Sequence, residues 1–74
     1  MRLNPAEYVI YLFGGVRPAS RELGVSPSTV SRWKTSGGEV PTKARKIILN
    51  YAKRQRLDIN AHDLEWGRKV NKNK

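Results

Sequence analysis

The chain has no cysteine among its 74 residues, which excludes a disulfide scaffold, a thiolate zinc site and a cysteine nucleophile. Its longest apolar run, Tyr8 to Phe13, is much shorter than the roughly 20 residues of a membrane-spanning helix. That run follows Glu7 and not a basic segment, so we expect no secretion signal. A reducing cytoplasm would suit such a protein.

Residues that support catalysis or metal binding are also scarce. His62 is the only histidine, and its spacing to Asp63 and Glu65 brings in no third metal ligand. The serines have no accompanying base and orienting group of the kind that activates a nucleophile. A chain this short forms one small domain and buries only about 60% of its unfolded surface, so a large substrate cavity is not expected. We therefore expect no enzyme, no cofactor and no metal.

Acidic residues are few, whereas basic residues are many. The chain holds 6 Asp and Glu against 15 Lys and Arg, which gives a formal net charge of +9. So large a charge on so small a domain predicts a polyanionic partner, because cations that neutralise phosphates release condensed counterions. Duplex DNA, RNA and an anionic membrane surface are all polyanions of this kind, and net charge alone does not distinguish them.

Capping residues and apolar periodicity predict an all-α domain of four to five short helices over residues 1–67, followed by a disordered basic tail at 68–74. Asn4, Pro5 and Glu7 predict the first helix start, and Asn60 predicts the last. The helices are expected at Pro5 to Phe13, Val16 or Arg17 to Leu23, Pro27 to Thr35, Pro41 or Thr42 to about Arg56, and Ala61 to about Trp66.

The most informative segment is VRPASRELGVSPSTVSRWK, from Val16 to Lys34, which predicts two helices joined by a tight turn. Gly24 suits the end of the first helix because glycine adopts the left-handed conformation without a Cβ clash. Ser26 offers a capping oxygen and Pro27 fits the first helical position. The apolar residues of this hairpin share a spacing that points them into the angle between its helices: Leu23, Val25, Val30 and Trp33.

The other side of the second hairpin helix carries short hydroxyls and cations, namely Ser28, Thr29, Ser31, Arg32 and Lys34. Short hydroxyls approach phosphates and base edges closely, and an arginine pairs bidentately with guanine in the major groove. This pattern is typical of a helix-turn-helix that reads DNA. A plain hairpin with a solvated polar face is the alternative, but it does not require all these residues in register.

The fourth helix is predicted to be amphipathic, with Ala44, Ile47, Ile48, Tyr51 and Ala52 on its inner face. Its outer face then carries only positive charge, together with Leu49, which is a candidate contact for a partner. The last helix contains Asp63 and Glu65 and is therefore expected to lie away from phosphates.

The segments YLFGGVRPASRELGVSPSTVSRWK, VPTKARKIILNYA and INAHDLEW together resemble the Cro repressors of lambdoid phages and the related YdaS-like helix-turn-helix domains. The resemblance covers Tyr8 to about Trp66. It implies a lambda-repressor-like fold and a cytoplasmic homodimer, weak in the absence of DNA, that binds a pseudo-palindromic double-stranded operator in a bacterial host cell. The half-site spacing of about one helical turn belongs to the known geometry of such repressors.

Matched by position, the resemblance places the family's base-reading sites on Pro27, Ser28, Ser31 and Arg32. It places the phosphate sites on Arg17, Ser26, Lys34 and Thr35. The chain departs from the family pattern at Ser20, where alanine is usual, and at Glu65-Trp66-Gly67, where the YdaS-like group has Arg-Pro-Asp. Alternative functions are a YdaS-like antitoxin or an excision factor and, from a different class, a basic RNA-binding or DNA-packaging module.

Overall fold

The computed structural model describes residues 2–70. Five helices make up most of this part of the chain, and two short strands flank them. In chain order the elements are β1 (Arg2–Leu3), α1 (Pro5–Phe13), α2 (Val16–Leu23), α3 (Pro27–Thr35), α4 (Thr42–Gln55), α5 (Ala61–Trp66) and β2 (Arg68–Lys69). The mostly helical architecture predicted from the sequence is therefore confirmed.

Side-chain caps mark the starts of α1 and α5. The Asn4 side chain accepts a hydrogen bond from the backbone N–H of Glu7 at 2.8 Å, and the Glu7 carboxylate accepts one from the Asn4 backbone at 3.0 Å. Asn60 and Asp63 form the same reciprocal pair at the start of α5, with both distances 3.0 Å. Each pair satisfies two backbone donors that a helix start otherwise leaves unbonded.

The helices enclose one apolar core. α1 packs against α2, α3 and α5, whereas α4 packs against α2 and α5. The largest side chains that are fully buried come from separate parts of the chain: Val9, Val30, Val40, Ile48 and Leu64. Because the core draws on every helix, the exposed surface of each helix is fixed relative to the others. No helix within residues 2–70 has the length and apolar character needed to cross a bilayer.

The two ends of the described chain pair as a small antiparallel ribbon. Arg2 lies opposite Lys69 and Leu3 opposite Arg68. Gly67 makes this return possible, since it has a φ of 83° and a Cβ at this position would collide with the Leu3 carbonyl oxygen. The prediction of a disordered tail from residue 68 is therefore wrong for residues 68–70, and the strands add to the all-α fold. The rest of that tail, 71–74, lies outside the described residues.

The orientation of α4 differs from the expected one. Ala44, Ile48 and Ala52 are buried as predicted, but Ile47 is 43% exposed, and Leu49 packs partly against the core. Placing Leu49 on the outer side was thus wrong. α5 packs beside α4, and its Glu65 pairs with Arg45, which lies four residues before Leu49 on the same side of α4.

Candidate nucleic-acid interface

The turn between α2 and α3 is held by backbone and side-chain hydrogen bonds. α2 ends at Gly24 in the left-handed conformation, and the Val25 N–H donates to the Ser20 carbonyl at 3.1 Å. Ser26 then caps α3, because its Oγ accepts from the Thr29 N–H at 3.2 Å. These are the roles that the sequence predicts for Gly24 and Ser26. The direction in which α3 leaves the turn is therefore well defined.

Ser20, in the middle of the predicted first hairpin helix, is buried, and its hydroxyl is hydrogen-bonded. Its hydroxyl donates to the Arg17 carbonyl at 2.9 Å, and only 5% of the residue is exposed. A small residue with an internally bonded hydroxyl costs little at a helix crossing. Serine is therefore accommodated here without leaving its buried hydroxyl unbonded.

α3 divides into a buried side and an exposed side. Val30 is fully buried and Trp33 is 5% exposed, so this side anchors the helix in the core. Val25 packs partly against the core, and Thr29 is half-buried instead of lying fully outside. The exposed side contains all four residues predicted to read bases: Pro27, Ser28, Ser31 and Arg32. The structure brings these four residues together on one helix face.

The four predicted phosphate contacts are all exposed: Arg17, Ser26, Lys34 and Thr35. Two of them already take part in local hydrogen bonds. The Thr35 hydroxyl donates to the Arg32 carbonyl at 3.2 Å, and the Ser26 hydroxyl lies 2.8 Å from that of Thr29. The side chains of Arg17 and Lys34 have no hydrogen-bond or ion-pair partner within residues 2–70. These two cations are therefore the donors most available to an incoming anion.

The last turn of α3 is tied to the start of α1. The Gly38 N–H donates to the Trp33 carbonyl at 3.0 Å, and the Gly38 carbonyl accepts from the Ala6 N–H at 2.9 Å. Val40, two residues further on, is 1% exposed. The connection from α3 to α4 is thus part of the folded body, which fixes the C-terminal end of the α3 face.

Most of the acidic side chains are engaged away from α3. Glu7 takes part in the α1 cap, Glu22 accepts from the Tyr51 hydroxyl at 3.0 Å, and Glu65 pairs with Arg45 at 2.9 Å. Asp58 and Asp63 both pair with Arg68. Because these acids are held by other elements, Arg32 and Lys34 leave the exposed side of α3 positively charged.

Glu39 is the exception, and sequence reasoning missed it. It lines an open groove beside α3 together with Thr29, Arg32, Trp33, Ser36 and Pro41. Glu39 lies in an irregular segment after Gly37 and Gly38, where no periodicity assigns a side to a residue. The only signal in the sequence was an acidic residue seven positions after Arg32. A carboxylate at the edge of this face opposes the approach of a phosphate.

The part of the chain that the structure describes offers no metal centre, since no group of three His, Cys, Asp or Glu side chains converges there. His62 is exposed on α5. No protein-family model matches the chain, and neither a curated protein nor a solved structure matches it. Function is therefore inferred from α3, its turn and the charges around them.

Proposed function

We propose that this chain is a sequence-specific DNA-binding protein, a transcriptional repressor of the Cro type that acts in the bacterial cytoplasm. α2 and α3 serve as its helix-turn-helix, and α3 enters the major groove of double-stranded operator DNA. One observation carries the proposal. Arg32 stands on an exposed face with Ser28 and Ser31, while Val30 and Trp33 on the other side of the same helix are buried.

Base recognition falls to the exposed side chains of α3. The Arg32 guanidinium donates two parallel hydrogen bonds to O6 and N7 of a guanine, a pairing that only the major groove offers. Ser28 and Ser31 donate to or accept from neighbouring base edges, and the ring of Pro27 contacts a thymine methyl group. Because α3 is anchored by Val30 and Trp33, these groups reach the bases as one rigid set.

Phosphate contacts set the depth and angle at which α3 enters the groove. Arg17 from the first turn of α2 and Lys34 from the last turn of α3 contact the backbone on either side of the groove. Ser26 and Thr35 lie beside them, and their hydroxyls rotate out of their local hydrogen bonds to donate to phosphate oxygens. Such contacts orient the protein but carry no sequence information.

Repression then follows from occupancy. A protein of this size covers one half-site, so two copies on a pseudo-palindrome supply the full specificity, and together they exclude polymerase from an overlapping promoter. Two adjacent half-sites also raise the effective concentration of the second copy. The proposal includes this homodimer, which forms fully only on DNA.

Selection of bound sequences from random duplexes tests the proposal directly. We expect one palindromic sequence to be enriched and to keep its advantage over random duplex at raised salt. If no sequence were enriched, or if the protein bound single-stranded RNA as tightly as duplex DNA, the repressor proposal would be overturned. Either result would favour an RNA-binding or packaging module.

Two alanine variants then separate base reading from phosphate binding. Arg32→Ala should cost about 1–3 kcal/mol on the selected operator and much less on random duplex. Lys34→Ala is the matched control, because it removes one cation from the same helix. It should weaken binding to the operator and to random duplex equally. It should also lower the slope of log K against log salt by about one. Equal losses on both duplexes for Arg32→Ala would make it a phosphate contact.

A further inference from the structure

α4 carries a row of cations that the contacts to DNA proposed above do not use. Between Thr42 and Gln55 the helix contains five basic residues and no acidic residue. Arg45 differs from the rest, since its Nε donates to the Val40 carbonyl at 2.8 Å and its Nη1 to Glu65 at 2.9 Å. The other four are exposed, and their side chains have no hydrogen-bond or ion-pair partner within residues 2–70: Lys43, Lys46, Lys53 and Arg54.

These four cations lie on one side of α4. At about 100° per residue, they fall with Asn50 within one arc of roughly 100°, opposite the buried Ala44, Ile48 and Ala52. We name this set, Lys43, Lys46, Asn50, Lys53 and Arg54, the α4 stripe. At about 1.5 Å per residue the stripe is roughly 16 Å long. It is therefore a continuous positive surface and not a single charge.

One end of the α4 stripe starts close to the exposed side of α3. Pro41, which directly precedes α4, lines the same groove as Arg32. Lys43 follows two residues later, so the Lys43 end of the stripe is the near end, and Lys53 and Arg54 form the far end. The near end of the stripe therefore belongs to the turn of α4 that starts beside this groove.

The chemistry of the α4 stripe selects among polyanions. Protein interfaces have an apolar centre and are depleted in lysine, whereas the exposed apolar surface of α4 beside this row comes from Ile47, which is 43% exposed. A helix that binds a membrane surface inserts its apolar face, but the apolar face of α4 is buried in the core. A row of cations with little apolar surface matches the regular charges of a phosphate backbone.

We propose that the α4 stripe binds the phosphate backbone of the duplex that flanks the base pairs read by α3. This inference rests on the proposed function, because it takes duplex DNA as the polyanion. Each protein molecule then contacts DNA over a longer stretch than α3 covers alone. The stripe adds affinity and salt dependence, and it leaves sequence preference to α3.

The far end of the stripe gives the cleanest test. The double variant Lys53→Gln with Arg54→Gln removes two exposed charges that lie away from the α3 face. The matched control is Arg2→Gln with Lys69→Gln, which removes two exposed charges from the β1–β2 ribbon. A second control, Lys53→Arg with Arg54→Lys, exchanges the side chains but retains both charges. Thermal melts should show all three variants folded.

Binding of the full chain to the selected operator is measured by anisotropy over a salt series, on a half-site duplex with and without flanking base pairs. On the flanked duplex, the far-end variant should lower the slope of log K against log salt by about two. Both controls should keep the slope, and the ratio of operator to random affinity should not change. On the duplex without flanks, the far-end variant should bind as the unaltered protein does.

Equal slopes for the far-end variant and the ribbon control would overturn the α4 stripe as a binding surface. Failure of the proposed function gives a different result. In that case the unaltered protein shows no sequence preference on any duplex, while the far-end variant still lowers the slope. Loss of binding to anionic vesicles or to an acidic protein, with an unchanged slope on DNA, would assign the stripe to those partners instead.

Discussion

Arg68 holds the carboxylate of Asp63 at two points. Its Nη2 lies 2.6 Å from Oδ2 and its Nε lies 2.9 Å from Oδ1. Asp63 is only 3% exposed, and its Oδ2 also accepts from the Asn60 backbone N–H at 3.0 Å. The pair therefore links the cap of α5 to β2, which connects the last helix to the terminal ribbon.

The first prediction concerns the stability of this link. Arg68→Ala leaves the Asp63 carboxylate buried without its cation, and unpaired buried charges are costly. Because the Arg68 side chain is itself 29% exposed, water reaches part of the gap, and we expect a loss of about 2 kcal/mol. Urea denaturation measures the loss. Lys69→Ala is the control and should stay within about 0.5 kcal/mol of the unaltered protein; equal losses for both variants would contradict this role.

The second prediction is a pH dependence of stability. Arg68 donates to both oxygens of Asp58, at 2.8 and 3.4 Å, and these hydrogen bonds lower the pKa of that carboxyl below its ordinary 3.8. The unfolded chain thus takes up the proton at a higher pH than the folded one. The stabilisation is present above the ordinary pKa and is lost as pH falls through the lower folded value.

The check is the melting temperature from about pH 6 down to about pH 2.5, a range that starts above the ordinary pKa of the carboxyl and ends below it. Asp58→Asn removes the titrating carboxyl and should flatten part of the decline on the acid side. Because the Asp58 side chain is 82% exposed, the effect should be small and should shrink at high salt. A steeper decline in Asp58→Asn than in the unaltered protein would reverse the sign and refute the argument.

The helix limits followed from the sequence because their determinants are local. Asn4 with Glu7, and Ser26 with Pro27, mark helix starts within a few residues. The β1–β2 ribbon had no such signal, since its strands are two residues long and Leu3 pairs with Arg68 across the whole chain. A pairing of that kind depends on the closed fold and on the backbone conformation of Gly67. Neither can be predicted from sequence periodicity.

The candidate site shows the same division. Burial of Val30 and Trp33 leaves Ser28, Ser31 and Arg32 outside, and the period of one helix is enough to predict this. The rotation of α4 was not predictable in that way, because its apolar residues spread around the helix. Packing of α4 against α2 and α5 decides that Leu49 packs partly against the core and that Ile47 stays exposed.

The third prediction concerns Glu39, whose carboxylate shares a groove with Arg32. A phosphate that approaches α3 meets this negative charge, so Glu39→Gln should tighten binding to duplex DNA. The gain should be severalfold at low salt and should fade as salt screens the repulsion. Glu65→Gln, on α5, is the matched control and should leave affinity unchanged. Weaker binding to the selected operator alone would show instead that Glu39 accepts a hydrogen bond from a cytosine amino group.

The fourth prediction concerns the proposed homodimer. The self-contact is expected away from α3, around Leu49 or in the segment from Leu57 to Trp66, and of these Leu49 is half-buried against the core. Trp66 is 60% exposed, and tryptophan is enriched where proteins bind one another. Trp66→Ala should therefore weaken the coupling between two half-sites on a full palindrome and leave the affinity for one half-site unchanged.

Titration of single and paired half-sites, with mass measured in solution, separates these effects. Tyr11→Ala is the matched control, because Tyr11 is a similarly exposed aromatic residue at 58% but belongs to α1. Its coupling should equal that of the unaltered protein. If a single molecule of the unaltered protein bound one half-site as tightly as two bound the palindrome, the two half-sites would not be coupled. The proposed role of Trp66 would then be wrong. The chain would then act as a monomer, and its specificity would come from one copy of α3 alone.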